Sequence, residues 1–220
     1  MINKKKLLAI VPVRMGSERV KDKNIKKFSD SNLIEIKLTE LSKIEKIDEI
    51  ILTSDSKQML EIGTKFNVKT HVREKYFASS EATNSEFFSN LSTIGKSEYI
   101  LYSPVTSPLI SFETINECID YFEDNNLKNM VTTSLIKHHL WQDGKPINYA
   151  IDKAPGSQDL PDIHSINYAC CIIERNLMKL NKNVVSKDVV FKILDEIQSI
   201  DVDTELDFMV AEYIYQKFRK

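Results

Sequence analysis

The sequence predicts an α/β domain built on a mostly parallel, doubly wound sheet. Three observations carry that expectation. Short β-branched runs alternate with amphipathic segments of helical period, several of the runs are apolar at nearly every position, and no repeat or low-complexity tract interrupts the alternation. Strand–helix–strand succession calls for crossover connections and parallel pairing, and a continuously apolar strand is one covered on both faces. With 220 residues, 42% of them hydrophobic, the chain can bury one large core and reads as a single domain over 1–220.

The elements follow in order. Leu7–Val13 is a strand, and a charged loop separates it from a helix over Leu33–Ile44. Strand Glu49–Ser54, helix Lys57–Phe66 and strand Val68–Val72 form the next unit; helix Ser85–Ile94 and strand Tyr99–Ser103 follow. In the helix Phe112–Phe122, Ile115, Ile119 and Phe122 make a core-facing stripe. Met130–Leu135 and Ile166–Glu174 are the last predicted strands. Between them, Lys137–His164 has no helical period and is punctuated by Pro146, Pro155 and Pro161. Because Leu140, Trp141, Ile147 and Tyr149 give this stretch something to bury, it is predicted as an extended arm (137–165) inserted in the domain, not a disordered linker. Ligands of such sheets bind beyond the carboxyl ends of the strands, so the loops following Val13, Ser54, Ser103 and Glu174 are the places to look for a site.

Composition excludes several classes. A formal net charge of −2 argues against a nucleic-acid binder working through bulk charge, so any anion site is local. Cys118, Cys170 and Cys171 form no CxxC pair and read as buried thiols, which suits a reducing cytoplasm. Lysines before a short apolar run at the start imitate a signal peptide, but Arg14 and Glu18 stand where small residues are required. No stretch is long enough to span a bilayer, and a soluble cytoplasmic protein is expected.

Four constellations could carry chemistry. The loop after the first strand places Arg14, Arg19, Lys21 and Lys23 around Gly16 and Ser17. Backbone N–H groups near a glycine, with fixed cations, make a cradle for phosphate oxygens, although a solvated basic loop explains the charges equally well. The spacing matches neither the ATPase nor the dinucleotide glycine signature. Near the end, alternation puts Asp201 and Asp203 on one side with Val202 facing away, a pairing that suits a Mg2+ ion held with substrate phosphates. The competing account is that Asp203 or Thr204 caps the following helix. "YSPVTSPLIS" closes a strand with Thr106 and Ser107 offering hydroxyls, or is a plain turn ending at the N-cap Ser111. "VREKYFASSEAT" puts Arg73 just past a strand, as a nucleoside-binding turn or only the approach to a helix near Asn84. Cations at one strand end and carboxylates at another suit a metal-bound triphosphate.

"VPVRMGSERVKDKNI" resembles the N-terminal motif of the bacterial cytidylyltransferases that make CMP-N-acetylneuraminate, approximately PARxGSKxxxxKNI. The resemblance extends over nearly the whole chain through "TSDS" at Thr53–Ser56, "VREKYFASSEAT", "TSPLI" at Thr106–Ile110, "SQDLP" at Ser157–Pro161 and "IDVDTELDF" at Ile200–Phe208. It implies a sheet like that of the nucleotide-diphospho-sugar transferases and CMP transfer from CTP to an acidic 2-keto sugar with release of pyrophosphate. It assigns Arg14, Met15, Gly16, Ser17, Lys23, Asn24, Arg73 and Ala82 to the nucleotide, with Arg14 and Lys23 catalytic through charge stabilisation. Thr106, Ser107, Gln158, Asp159 and Asn167 fall to the acceptor, and Asp201 and Asp203 to Mg2+. It also implies a homodimer through the 137–165 arm and a role in surface glycan synthesis.

The chain departs from that pattern mainly on the acceptor side. Pro104 stands where the family has glutamine, Gly156-Ser157 precedes QDLP in place of arginine, and Asn167-Tyr168 replaces Asn-Gly. In the phosphate loop Met15 replaces a glycine and Glu18 a basic residue. The acceptor could therefore be a legionaminic- or pseudaminic-type sugar, a Kdo-like one or another anionic small molecule; a different base or an inactive nucleotide-binding homologue are the remaining alternatives.

Overall fold

Helices cover both faces of a seven-stranded sheet because its strands are apolar on both sides. The structure, a computed structural model, describes residues 5–17 and 19–218, so Glu18 and the residues before Lys5 lie outside the described residues. Its strands are β1 (Leu7–Pro12), β2 (Glu49–Ser54), β3 (Lys69–Val72), β4 (Tyr99–Tyr102), β5 (Asn129–Ile136), a two-residue pair β6 (Trp141–Gln142) and β7 (Lys145–Pro146), β8 (Ile163–Glu174) and β9 (Val190–Ile193). The main sheet has the order β3-β2-β1-β4-β8-β5-β9. Leu7, Ala9 and Val11 of β1 join one core cluster while Leu8 and Ile10 join the other, as a period of two requires. The first cluster takes in α1 (Leu33–Ser42), α5 (Phe112–Asp124) and α7 (Glu205–Phe218); the second takes in α4 (Asn84–Leu91) and α6 (Arg175–Asn181). The remaining helices are α2 (Lys57–Lys65) and the single turn α3 (Lys75–Ala78).

Local signals place the helix starts. Asn32 accepts the Glu35 N–H, Ser56 that of Met59 and Ser111 that of Thr114, while Thr83 and Glu86 form a reciprocal capping box. The three cysteines are free and fully buried, with adjacent Cys170 and Cys171 facing opposite cores.

β8 changes the expected picture. It pairs antiparallel with both neighbours, β4 and β5, whereas the other strands of the sheet run parallel to one another. Residue 174 therefore lies at the edge opposite the carboxyl ends of β1 and β4, and the loop after Glu174 is not at the binding edge. The start of β8 is there instead. This direction also explains why Lys137–His164 lacks a helix: antiparallel neighbours need no crossover. That segment holds the β6–β7 pair and two short 3-10 turns, with Trp141, Ile147 and Ile151 exposed. Lys137 anchors its base, donating to the Leu160 carbonyl at 2.7 Å and pairing with Asp162 at 2.5 Å. α6 and β9 escape the sequence reading because each is short and β9, at the sheet edge, alternates only over four residues.

One buried charge ties a helix to the binding edge. Lys37 of α1 is 1% exposed and donates from Nζ to the Ser107 carbonyl at 3.0 Å. Burial pushes its pKa down to about 8, opposed by nearby Cys170, Glu40 and Asp201. A lysine depressed in the folded state costs stability where both states are protonated. The cost is relieved as pH rises from the folded pKa towards the unfolded value, where the unfolded chain binds more protons. Unfolding free energies measured by denaturant titration should therefore rise between pH 8 and 10 relative to Lys37→Met, by at most on the order of 3 kcal/mol. Parallel pH profiles for the two proteins would show that the ammonium carries no such cost.

Candidate active site

A cavity of about 650 Å³ opens at the carboxyl edge of β1 and β4. Three loops build it. Arg14, Ser17, Arg19, Lys23 and Asn24 come from the loop after β1, Tyr102, Pro104 and Thr106 from the end of β4 and its turn, and Asp201 and Asp203 from the extended stretch before α7. Arg73, Phe77, Ser79, Ser80, Ala82, Asn84 and Phe87 form a further wall, and Tyr168 of β8 reaches in from the other side.

The loop after β1 is held by its own backbone. Gly16 has φ +73, a left-handed conformation that suits glycine, and Met15 donates its N–H to Asp55 Oδ1 at 3.2 Å. Asn24 donates to the Arg14 carbonyl at 3.0 Å, closing the loop from within. Arg14 itself is exposed and donates from Nη1 to the Ala78 carbonyl at 3.0 Å. Arg73 is buried and donates to the Val13 carbonyl, with the Phe87 ring 5.3 Å from its guanidinium carbon. Burial lowers its pKa to about 10, so it stays charged at neutral pH.

Lys23 bridges to the acidic stretch. Its Nζ donates to the Val202 carbonyl at 2.5 Å and lies 3.6 Å from Asp203 Oδ1. Burial lowers its pKa, while Asp203 and Asp201 act in the opposite sense. Arg19 meets the same Asp203 oxygen at 2.9 Å. Residues 201–203 are not a strand, yet the expected alternation holds: Val202 is fully buried and both aspartates line the cavity. Asp201 is half-buried, and burial pushes its pKa up; the Thr106 hydroxyl and Lys23 act against that shift. Its Oδ1 is buried with no hydrogen-bond partner. No group of three or more His, Cys, Asp or Glu side chains suited to a metal occurs among the described residues, so any ion here would take its remaining ligands from elsewhere. An orphaned carboxylate oxygen beside a second carboxylate is a donor set that fits a hard divalent cation sharing substrate phosphates.

The helix-capping account of Asp203 is discharged by its neighbours. Thr204 Oγ1 accepts the Asp207 N–H at 3.2 Å, and Asp207 Oδ2 accepts the N–H groups of Asp203 and Thr204 at 3.1 and 2.7 Å. Thr204 and Asp207 cap α7 between them, which leaves the Asp203 carboxylate free for the cavity.

Not every expected site residue converges. Arg14, Ser17, Lys23, Asn24, Arg73, Ala82, Thr106, Asp201 and Asp203 line the cavity; Met15 and Gly16 shape its loop without lining it. Ser107 is fully buried and offers its carbonyl to Lys37. Gln158 and Asp159 are exposed in the arm and bond to each other. Asn167 is buried, its Oδ1 taken by the Thr132 hydroxyl at 2.7 Å and the Ala169 N–H at 3.2 Å, so it acts as scaffold. Arg19, expected only as part of the charge of the first loop, lines the cavity as well, and so do Phe87, Tyr102 and Tyr168, which carry no sequence signal of a site beyond the departure at Tyr168.

A family model described as Cytidylyltransferase matches residues 8–142. Over 96% of this chain and 95% of its own length, the chain is 24% identical to a Campylobacter coli protein named post-translational flagellin modification protein B. An N-acylneuraminate cytidylyltransferase of Streptococcus agalactiae is 26% identical over 93% of the chain, which spans only about half of that relative (52%). Among solved structures, a CMP:2-keto-3-deoxy-manno-octonic acid synthetase complexed with CTP superposes with a TM-score of 0.71 at 11% identity, covering 96% of this chain and 99% of that one. That likeness shows the fold.

If the capping box is as described, Asp203→Ala should shift the unfolding free energy by no more than about 0.5 kcal/mol. Thr204→Ala should cost about 1 kcal/mol through the lost cap. Chemical denaturation of the two variants checks this; an Asp203→Ala loss as large as that of Thr204→Ala would return Asp203 to the helix.

Proposed function

The chain belongs to the cytidylyltransferase family, and we propose that it transfers CMP from CTP to an acidic 2-keto sugar of the sialic-acid-like class. The observation that carries this reading is one cavity in which three cations from the β1 loop (Arg14, Arg19 and Lys23) and Arg73 face two carboxylates, one with a buried, unpaired oxygen. A triphosphate needs the cations; the carboxylates would only repel it unless a divalent ion lay between.

In this reading the anomeric hydroxyl oxygen of the acceptor attacks the α-phosphorus of CTP. The bond from that phosphorus to the β-phosphate bridging oxygen breaks, pyrophosphate leaves, and the hydroxyl proton passes to water. Arg14 and Lys23 draw the triphosphate oxygens and offset the charge that accumulates on the leaving group. Lys23, half-buried, interacts more strongly with an anion than it would in bulk water. Ser17 and Asn24 orient the phosphates and ribose, and Arg73 with Ala82 borders the space for the base. Thr106, whose hydroxyl donates to Asp201, fixes that carboxylate's direction. Asp201 and Asp203 would hold Mg2+, which when bound neutralises charge on the nucleotide phosphates. No histidine or glutamate lines the cavity among the described residues, and positioning with charge stabilisation accounts for the catalysis.

The name of one relative, an N-acylneuraminate cytidylyltransferase, supports this acceptor class, and with another named for flagellin modification we place the product upstream of surface glycan synthesis. An acceptor of the 2-keto-3-deoxy-octonate kind is the second reading. Exposed Trp141, Ile147 and Ile151 support homodimerisation through the arm. No helix of the described residues is long and apolar enough to cross a membrane, and we place the enzyme in the cytoplasm with its CTP.

Pyrophosphate release should require CTP and Mg2+ and should not proceed with ATP, GTP or UTP, tested against N-acetylneuraminate, pseudaminate and 2-keto-3-deoxy-octonate. Asp203→Ala should lower kcat at least about 100-fold while the chain stays folded. Absence of any thermal stabilisation by CTP with Mg2+ would falsify the reading.

A further inference from the structure

Tyr168 occupies a conformation that its residue type disfavours. Its φ is +56, in the left-handed region where a side chain with Cβ is strained. Strain of that kind persists only where the surroundings over-determine it, and it gathers at ligand sites.

Here the surroundings can be named. Between the pairs Val131–Cys171 and Thr133–Ile166, β8 advances five positions while β5 advances two, so β8 bulges over residues 167–170. Side chains replace the missing ladder. Thr132 Oγ1 donates to Asn167 Oδ1 at 2.7 Å and accepts the Cys170 N–H at 3.0 Å, Asn167 Oδ1 also accepts the Ala169 N–H, and Ser103 donates to the Ala169 carbonyl at 3.2 Å. A bulge of this sort re-aims a side chain. The one it re-aims is Tyr168, half-buried and lining the cavity, with its ring 6.3 Å from that of Tyr102 in an edge-to-face pair. β8 lies beyond β4 as seen from the strands that carry Arg14 and Arg73, so Tyr168 enters the cavity from the β8 side, with Tyr102, whose ring also meets Phe88 at 5.4 Å, between it and the base wall.

We propose that Tyr168, presented by the β8 bulge beside Tyr102, is the residue that selects the acceptor, taking an apolar acyl substituent of the sugar acid against its ring. This rests on the cytidylyltransferase reading and adds the discriminating contact to it. The rest of the cavity near the aspartates and cations is polar and suits the carboxylate and hydroxyls that all such acids share. Phe77 and Phe87 belong to the wall with Arg73, and Pro104 and Val105 to the turn after β4; on the β8 side the tyrosine pair offers an aromatic face, and a methyl-bearing acylamino group gains there what a plain hydroxyl does not. Tyr168 is a binding and specificity residue; it performs no proton transfer.

The test compares wild type with Tyr168→Gly, Tyr168→Asn and Tyr168→Phe, using CTP, Mg2+ and two acceptors, N-acetylneuraminate and 2-keto-3-deoxy-octonate. Gly and Asn tolerate positive φ, so both variants should melt no lower than wild type. In both, the kcat/KM ratio of the acylated over the unacylated acceptor should fall about 10-fold or more, through the acceptor KM. The KM for CTP should stay within about 2-fold, as expected for a residue that contacts the acceptor and not the nucleotide. Tyr168→Phe, which keeps the ring, should keep the ratio. An enzyme that binds CTP but whose acceptor ratio is untouched by Tyr168→Gly and Tyr168→Asn overturns this inference alone. So does wild-type turnover of the octonate only, or of neither acceptor with CTP bound. Failure to bind CTP at all overturns the functional reading and this inference together.

Discussion

The site depends on one residue whose side chain never touches it. Val202 is fully buried in the core, its N–H donates to the Thr106 carbonyl at 2.7 Å, and its carbonyl accepts from Lys23 at 2.5 Å. Through that single residue the loop after β1, the turn after β4 and the stretch before α7 are locked to each other and to the hydrophobic interior. Asp201 and Asp203 flank it, so where Val202 sits decides where both carboxylates point. An apolar residue thereby positions a polar site: burial supplies the stability, and extended alternation supplies the direction.

The electrostatics of the cavity is balanced in the free chain. Arg19 and Lys23 both turn to Asp203, and burial already disfavours the ionised form of Asp201. Exposed pairs such as Arg19–Asp203 contribute little stability in water. Their role is organisational: they keep opposite charges near the positions where a polyanion and a cation would exchange partners with them. Lys37 works from behind, its buried ammonium holding the Ser107 carbonyl and hence the turn that presents Thr106.

Much of this was readable beforehand because it is local. Periodicity marked β1–β5 and the principal helices, Ser111 announced its own helix, and the alternation at 201–203 survived although no strand forms there. What was not readable is relational. Nothing within Ile163–Glu174 tells whether it runs with or against its neighbours, so periodicity alone puts the loop after Glu174 at the wrong edge and gives no sign that Tyr168 faces the cavity. Motif membership likewise could not distinguish a side chain facing the cavity from one spent on scaffold, as Asn167 is in the bulge and Ser107 is beneath the turn. The cap of α7 was ambiguous for a related reason: Asp203 and Thr204 could each have capped the helix, and only geometry separates the cap from the carboxylate that lines the cavity.

The reversed strand also has a bearing on how the chain assembles during synthesis. β8 lies between β4 and β5, although both precede it in sequence. A nascent chain that has produced everything up to Pro161 therefore holds the four strands β3-β2-β1-β4 and a lone β5, and the apolar edge of β4 has no partner until Ile163–Glu174 emerges. The excursion Lys137–His164 is the tether that delivers β8 between β4 and β5, and its length sets how long an aggregation-prone edge stays open. Closure of the sheet and completion of the aromatic corner are thus one event, so a chain that has not finished folding cannot yet tell one acceptor from another.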